Sequence, residues 1–178
     1  EWFSEWGMAA SKEENDYCHQ LEKMLSQNRP GTVVTPLNIA YWERNLNCNI
    51  DSLIGTHVTD KDVIVIRLGE NVQDKEAFKS GILRLVEYCK RKADKVVITG
   101  CFWKDEEKER AIINAAHMHG LTFIPFAWID RLYDSRPKVG DTLYDIHGKP
   151  YTVTKDFIIA HPDDEGMKKI AEAIYRVL

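Results

Sequence analysis

The 178 residues are 44% hydrophobic and 29% charged, enough apolar side chain for one large core, so a single globular domain over residues 1–178 is expected. The 24 basic and 28 acidic side chains leave a formal net charge of -4. That balance supplies no broad basic field and argues against sequence-independent capture of nucleic acid or an anionic membrane surface. No stretch approaches the ~20 apolar residues that span a bilayer. Four cysteines, Cys18, Cys48, Cys89 and Cys101, lack metal-type spacing and read as free thiols. A mature secreted or periplasmic product and a cytoplasmic one read alike here, because a removed leader leaves no trace.

In chain order, the first helical pattern runs from about Glu13 to Gln27 and places Tyr17, Leu21, Met24 and Leu25 on one face. Pro30-Gly31 breaks it, and the β-rich Thr32-Val33-Val34 follows. Asp62 to Leu68 reads DVIVIRL, a β-branched run expected of a strand covered on both faces. A helix over about Lys75 to Ala93 is expected to bury Phe78, Ile82, Leu85, Val86 and Cys89, and Lys95 to Thr99 gives a second buried strand. A charged helix over about Asp105 to His119 stops at Gly120, and Leu121 to Phe126 supplies a further strand. His117 and His119 are two apart on that helix and point to different faces, so they read as a solvated helix end rather than a metal pair. Val139 to Thr154 reads as a hairpin around Asp145-Ile146-His147-Gly148. The last helix, about Asp164 to Val177, buries Met167, Ile170, Ala171 and Ile174. This alternation predicts an α/β domain with a parallel sheet.

Open parallel sheets bind ligands outside the C-terminal ends of their strands. The segments there are Pro36-Leu37-Asn38, Gly69-Glu70-Asn71, Gly100-Cys101-Phe102-Trp103 and the loop before the last helix. Gly69 permits a sharp turn, and Asn71 can then aim an amide into the crevice, although Gly-Glu-Asn also serves as a plain strand-end turn. Pro162 suits a helix start, and Asp163, Asp164 and Glu165 suit the positive end of a helix dipole. His161 stands just upstream with the side chain best matched to proton transfer near neutral pH. Trp42, Trp103 and Trp128 follow strand-like segments as candidates for an aromatic sugar-binding wall, with packing an equal alternative.

The GxN turn after a buried strand, together with the late His161-Pro162-x-Asp164-x-Gly166-Met167, resembles blocks III and V of the SGNH (GDSL-type) hydrolases. Trp6 to Ser11, followed by Asp16-Tyr17 and His19 to Leu21, is similar to the stretch after the nucleophile serine in that family. The resemblance implies a flavodoxin-like, three-layer α/β/α fold and a serine ester hydrolase with His161 as base and Asn71 as oxyanion donor. From their places after the strand-like segments, Gly69, Trp103 and Trp128 are the candidate substrate-binding residues. Small acyl groups on a carbohydrate or similar polar alcohol are the implied substrates, with no cofactor and no metal. The alternative is a catalytically inactive SGNH-like module that binds a glycan or a protein.

Two family features depart. No GDS or GNS motif occurs, so a strand and the nucleophile serine are expected upstream of Glu1; Ser4 and Ser11 follow no β-rich run, and Ser11 stands where a helix N-cap would go. Cys101 reads as a small buried residue rather than a nucleophile. The triad aspartate, three residues before the histidine, is replaced by Ile158. Either a backbone carbonyl orients the imidazole or another carboxylate does, Glu70 and Asp164 being the nearest candidates and Asp156 a weaker one. A flavodoxin-like cofactor binder is disfavoured because no Gly-rich phosphate loop follows a strand.

Overall fold

The structure, a computed structural model, describes residues 6–7, 9–132, 134–154 and 157–178. Ser4, Met8 and Asp156 lie outside the described residues. The chain divides into two compact units, one of Leu37–Ala127 and one of Glu1–Pro36 with Trp128–Leu178.

The Leu37–Ala127 unit contains a parallel three-stranded sheet in the order β1 (Lys61–Ile66), β2 (Ala93–Thr99), β3 (Thr122–Ile124). Ile64 pairs with Val96 and Ile66 with Ile98, while Ile98 also pairs with Phe123. Each crossover is a helix, α4 (Lys75–Lys90) and α5 (Glu106–His119), as parallel neighbours require. The two helices pack on each other and on the sheet. Phe78, Ile82, Leu85, Val86 and Cys89 of α4 are buried as their spacing predicts, with Ala111, Ile112, Ala115 and Ala116 of α5. Asp74 caps α4 by accepting from Ala77 N, and Asp105 caps α5 by accepting from Glu107 N and Lys108 N. Gly120 closes α5 with φ 65, a left-handed residue that glycine adopts without a Cβ penalty. Arg67 and Leu68, expected as strand, leave the ladder after Ile66, and α4 ends at Lys90 because Ala93 already pairs in β2.

Two short helices precede β1: α2 (Ala40–Arg44) and α3 (Ile50–Ile54). Trp42 of α2 is fully buried and meets Phe78 edge-on at 6.1 Å between ring centroids. It is therefore core, which removes it from the expected aromatic wall.

In the other unit, α1 (Tyr17–Asn28) packs on α6 (Asp164–Tyr175). The expected helix over Glu13–Gln27 is broken: Glu13–Asn15 forms a 3-10 turn, Asp16 is extended, and α1 starts at Tyr17. Asp16 is the reason, since its buried carboxylate accepts from His19 N at 2.9 Å and acts as N-cap. Ser11 is thus not the cap of this helix. Thr32-Val33-Val34 forms no strand; Val33 is 76% exposed and Val34 N donates to Glu22 Oε2 at 2.7 Å. The hairpin is present as β4 (Thr142–Tyr144) and β5 (Pro150–Thr152), antiparallel, around a turn in which Asp145 Oδ1 accepts from His147 N and Lys149 N. Leu143, Val153 and Ile158 pack with Ala9 in a small apolar cluster.

Candidate active site

The residues singled out from the sequence fall into two groups, one in each unit. In the Leu37–Ala127 unit, β1 runs out into the turn Gly69-Glu70-Asn71. Gly69 has φ 128, and a Cβ there would stand 2.6 Å from Cys101 Sγ. Glycine is required on both counts. Glu70 braces the turn to the loop after β2: its Oε1 accepts from Phe102 N at 3.3 Å and pairs with Arg67 at 3.1 Å. Lys108, buried on α5, reaches the Glu70 carbonyl at 3.4 Å.

Glu43 of α2 was not singled out from the sequence, yet it organises this turn. Only 4% exposed, it accepts from Gly69 N at 2.6 Å and Asn71 N at 3.3 Å on Oε1, and from Asn71 Nδ2 at 2.7 Å on Oε2. Three N–H groups on one carboxylate meet the demand of a buried charge for donors. Asn71 itself is exposed, so its amide sits at the surface of the site with one hydrogen committed to Glu43.

Burial pushes the Cys101 thiol up to about 12, and its Sγ faces the Leu68 carbonyl at 3.9 Å. Such a thiol carries almost no thiolate near neutral pH, so Cys101 is a packing residue, as expected. Trp103 is half-buried and stands edge-on to the buried Phe102 at 5.8 Å.

In the second unit, His161 is 9% exposed and follows the 3-10 turn Phe157–Ala160, its own N–H donating to Ile158 O. Its Nδ1 lies 2.9 Å from the Phe157 carbonyl. A carbonyl only accepts, so Nδ1 carries the hydrogen and the neutral ring bears its lone pair on Nε2. The Phe157 ring stands edge-on to the imidazole at 6.3 Å. Ile158, at the position where the resembled family has aspartate, is 2% exposed inside the apolar cluster, where an unpaired carboxylate would be poorly solvated.

Asp164 is engaged elsewhere. Its Oδ1 accepts from Ser11 N at 2.7 Å, and its Oδ2 from Ser11 Oγ at 2.7 Å and Asn15 Nδ2 at 2.8 Å. This ties the segment after Trp6-Gly7 to the start of α6 and commits the Ser11 hydroxyl as a donor. Asp163 caps α6 by accepting from Gly166 N, and burial raises its carboxyl above the usual range. Trp128 is 41% exposed ahead of the turn Ile129–Arg131. None of the helices among the described residues is long and apolar enough to cross a membrane.

No protein-family model matches the sequence, and no curated protein matches it. Several solved structures are similar, two of which are described. One is an alpha/beta hydrolase enzyme from the metagenome of Lake Arreo, Spain, at TM-score 0.60 and 11% identity, covering 91% of this chain and 80% of that one. The other is a variant of Axe2, an acetyl xylan esterase from Geobacillus stearothermophilus, at TM-score 0.63 and 14% identity, covering 90% of this chain and 80% of that one. At these identities the likeness establishes the α/β fold.

Proposed function

We propose that the protein is an ester hydrolase of SGNH type that removes small acyl groups from a carbohydrate or similar polar alcohol. The observation that carries this reading is the 2.9 Å contact of His161 Nδ1 with the Phe157 carbonyl, which holds the imidazole in the tautomer of a general base at Nε2. A main-chain carbonyl in that place can orient the ring where the resembled family has aspartate and this chain has Ile158. His161 takes the proton of a serine hydroxyl as that oxygen attacks the ester carbonyl. It returns the proton to the leaving alcohol, and a water repeats the cycle on the acyl-enzyme. Asn71 donates to the developing oxyanion, with Gly69 giving the turn its shape. Trp103 and Trp128 are the aromatic candidates for contact with the alcohol part. Support also comes from the fold shared with an alpha/beta hydrolase and an acetyl xylan esterase.

The test is p-nitrophenyl acetate hydrolysis by the full-length protein and its His161→Ala variant, with acetylated xylan as the polymeric substrate. Loss of turnover in the variant is expected. The second reading, a binding module without catalysis, is favoured by Ile158 standing where the resembled family has its triad aspartate. It predicts equally negligible rates in both proteins, together with binding of an acetylated glycan.

A further inference from the structure

We propose that Glu43 is a positioning residue that decides which way round the Asn71 amide is presented to the reacting ester. This rests on the reading of Asn71 as oxyanion donor. A carboxylate only accepts hydrogen bonds, whereas an asparagine amide offers NH2 on one side and a carbonyl oxygen on the other. With Glu43 Oε2 at 2.7 Å from Nδ2, the NH2 is held toward Glu43. The opposite orientation would set Asn71 Oδ1 against a carboxylate oxygen. The second hydrogen on Nδ2 is then the one directed at an oxyanion. The same carboxylate fixes the backbone from which the amide hangs, through Gly69 N at 2.6 Å and Asn71 N at 3.3 Å. Glu43 is itself held in place because its neighbour Trp42 is fully buried against Phe78. One buried residue thus sets both the position and the sense of the donor.

Glu43→Gln keeps the volume and removes one acceptor. A glutamine that uses its oxygen for Gly69 N turns its own NH2 toward Asn71 and selects the flipped asparagine, with Oδ1 where the donor should be. Removing one oxyanion donor lowers kcat by roughly 10²- to 10³-fold, and a flipped donor is expected to do the same.

The experiment is a double-mutant cycle on the full-length protein with p-nitrophenyl acetate, using Glu43→Gln, Asn71→Ala and the double variant. The expected result is a kcat loss on the order of 10²-fold in each single variant, KM within about twofold, and a double variant no worse than Asn71→Ala alone. Glu43→Gln with wild-type kcat, or losses that multiply in the double variant, would overturn the role of Glu43 while leaving the esterase reading standing. No hydrolysis by the wild type overturns the esterase reading and this role with it. Should Glu43→Gln fail to fold, the wild type decides by NMR. Of the two Asn71 side-chain amide protons, assigned by their loss in Asn71→Ala, one is expected downfield from its bond to Glu43. The other is expected to move when phenylboronic acid forms a tetrahedral adduct at the serine. Two protons at ordinary shifts, neither moving, overturn the proposal.

Discussion

Gly69→Ala places a methyl group where the turn at the end of β1 has no space for it. The added Cβ would lie 2.6 Å from Cys101 Sγ, 3.6 Å from Ile112 Cδ1 and 3.7 Å from Phe78 Cζ. Cys101 and Phe78 are 4% and 0% exposed, so neither can swing into solvent. Two costs arise. Overpacking of a filled core costs about 1–3 kcal/mol. Holding an L-residue at φ 128 adds about 1–3 kcal/mol of backbone strain. Together they predict a loss of about 2–6 kcal/mol, read as a drop in the urea midpoint at unchanged slope. The two parts are separable. In a Cys101→Ala background the steric part should vanish and only the backbone part remain. Gly69→Ala within about 0.5 kcal/mol of wild type would refute the reasoning, because that is the range of an ordinary surface substitution. An equal cost in both backgrounds would refute the assignment of the clash to Cys101.

Two further predictions concern pH. Burial holds the thiols of Cys89 and Cys101 protonated up to about 12. Unfolded thiols ionise near 9, so above that the unfolded state has released protons that the folded state keeps. Stability should therefore fall with rising pH from about 9 toward 12, at about 1.4 kcal/mol per thiol per unit. Urea midpoints at pH 8 and 10.5 should drop less in Cys89→Ala/Cys101→Ala than in wild type, and equal drops would contradict the burial argument. Asp105 shows the opposite sign. Burial works against its charge, but the Lys75 ammonium and the backbone N–H of Lys108 outweigh it and hold the carboxyl below its usual range. Its contribution is present above the ordinary carboxylate range and lost as pH falls below that range through the lowered pKa of the folded state. Asp105→Ala should cost about 1 kcal/mol at pH 7 by urea denaturation and progressively less as the pH is lowered below the ordinary carboxylate range.

The sheet was legible because DVIVIRL and KVVIT are long β-branched runs, and its crossover helices because Phe78, Ile82, Leu85 and Cys89 recur at helical spacing. Helices α2 and α3 were not, since five residues are too few to show a period. That is also why Glu43 went unnoticed: its importance comes from N–H groups of Gly69 and Asn71, 26 and 28 residues away. Thr32–Val34 has strand composition, but propensity says nothing of partners, and Val34 N found Glu22 instead of a ladder. At the candidate base, the sequence left a backbone carbonyl and a carboxylate as alternatives for the group facing the His161 imidazole. Every residue possesses a main-chain carbonyl, so no pattern of side chains could pick out that of Phe157, which the Nδ1 contact does.

The esterase reading depends most directly on His161. In the full-length protein, p-nitrophenyl acetate turnover should fall by roughly 10²- to 10⁴-fold on His161→Ala, the usual weight of a general acid–base group, with the urea midpoint little changed. Equal rates in wild type and a folded His161→Ala variant would contradict it.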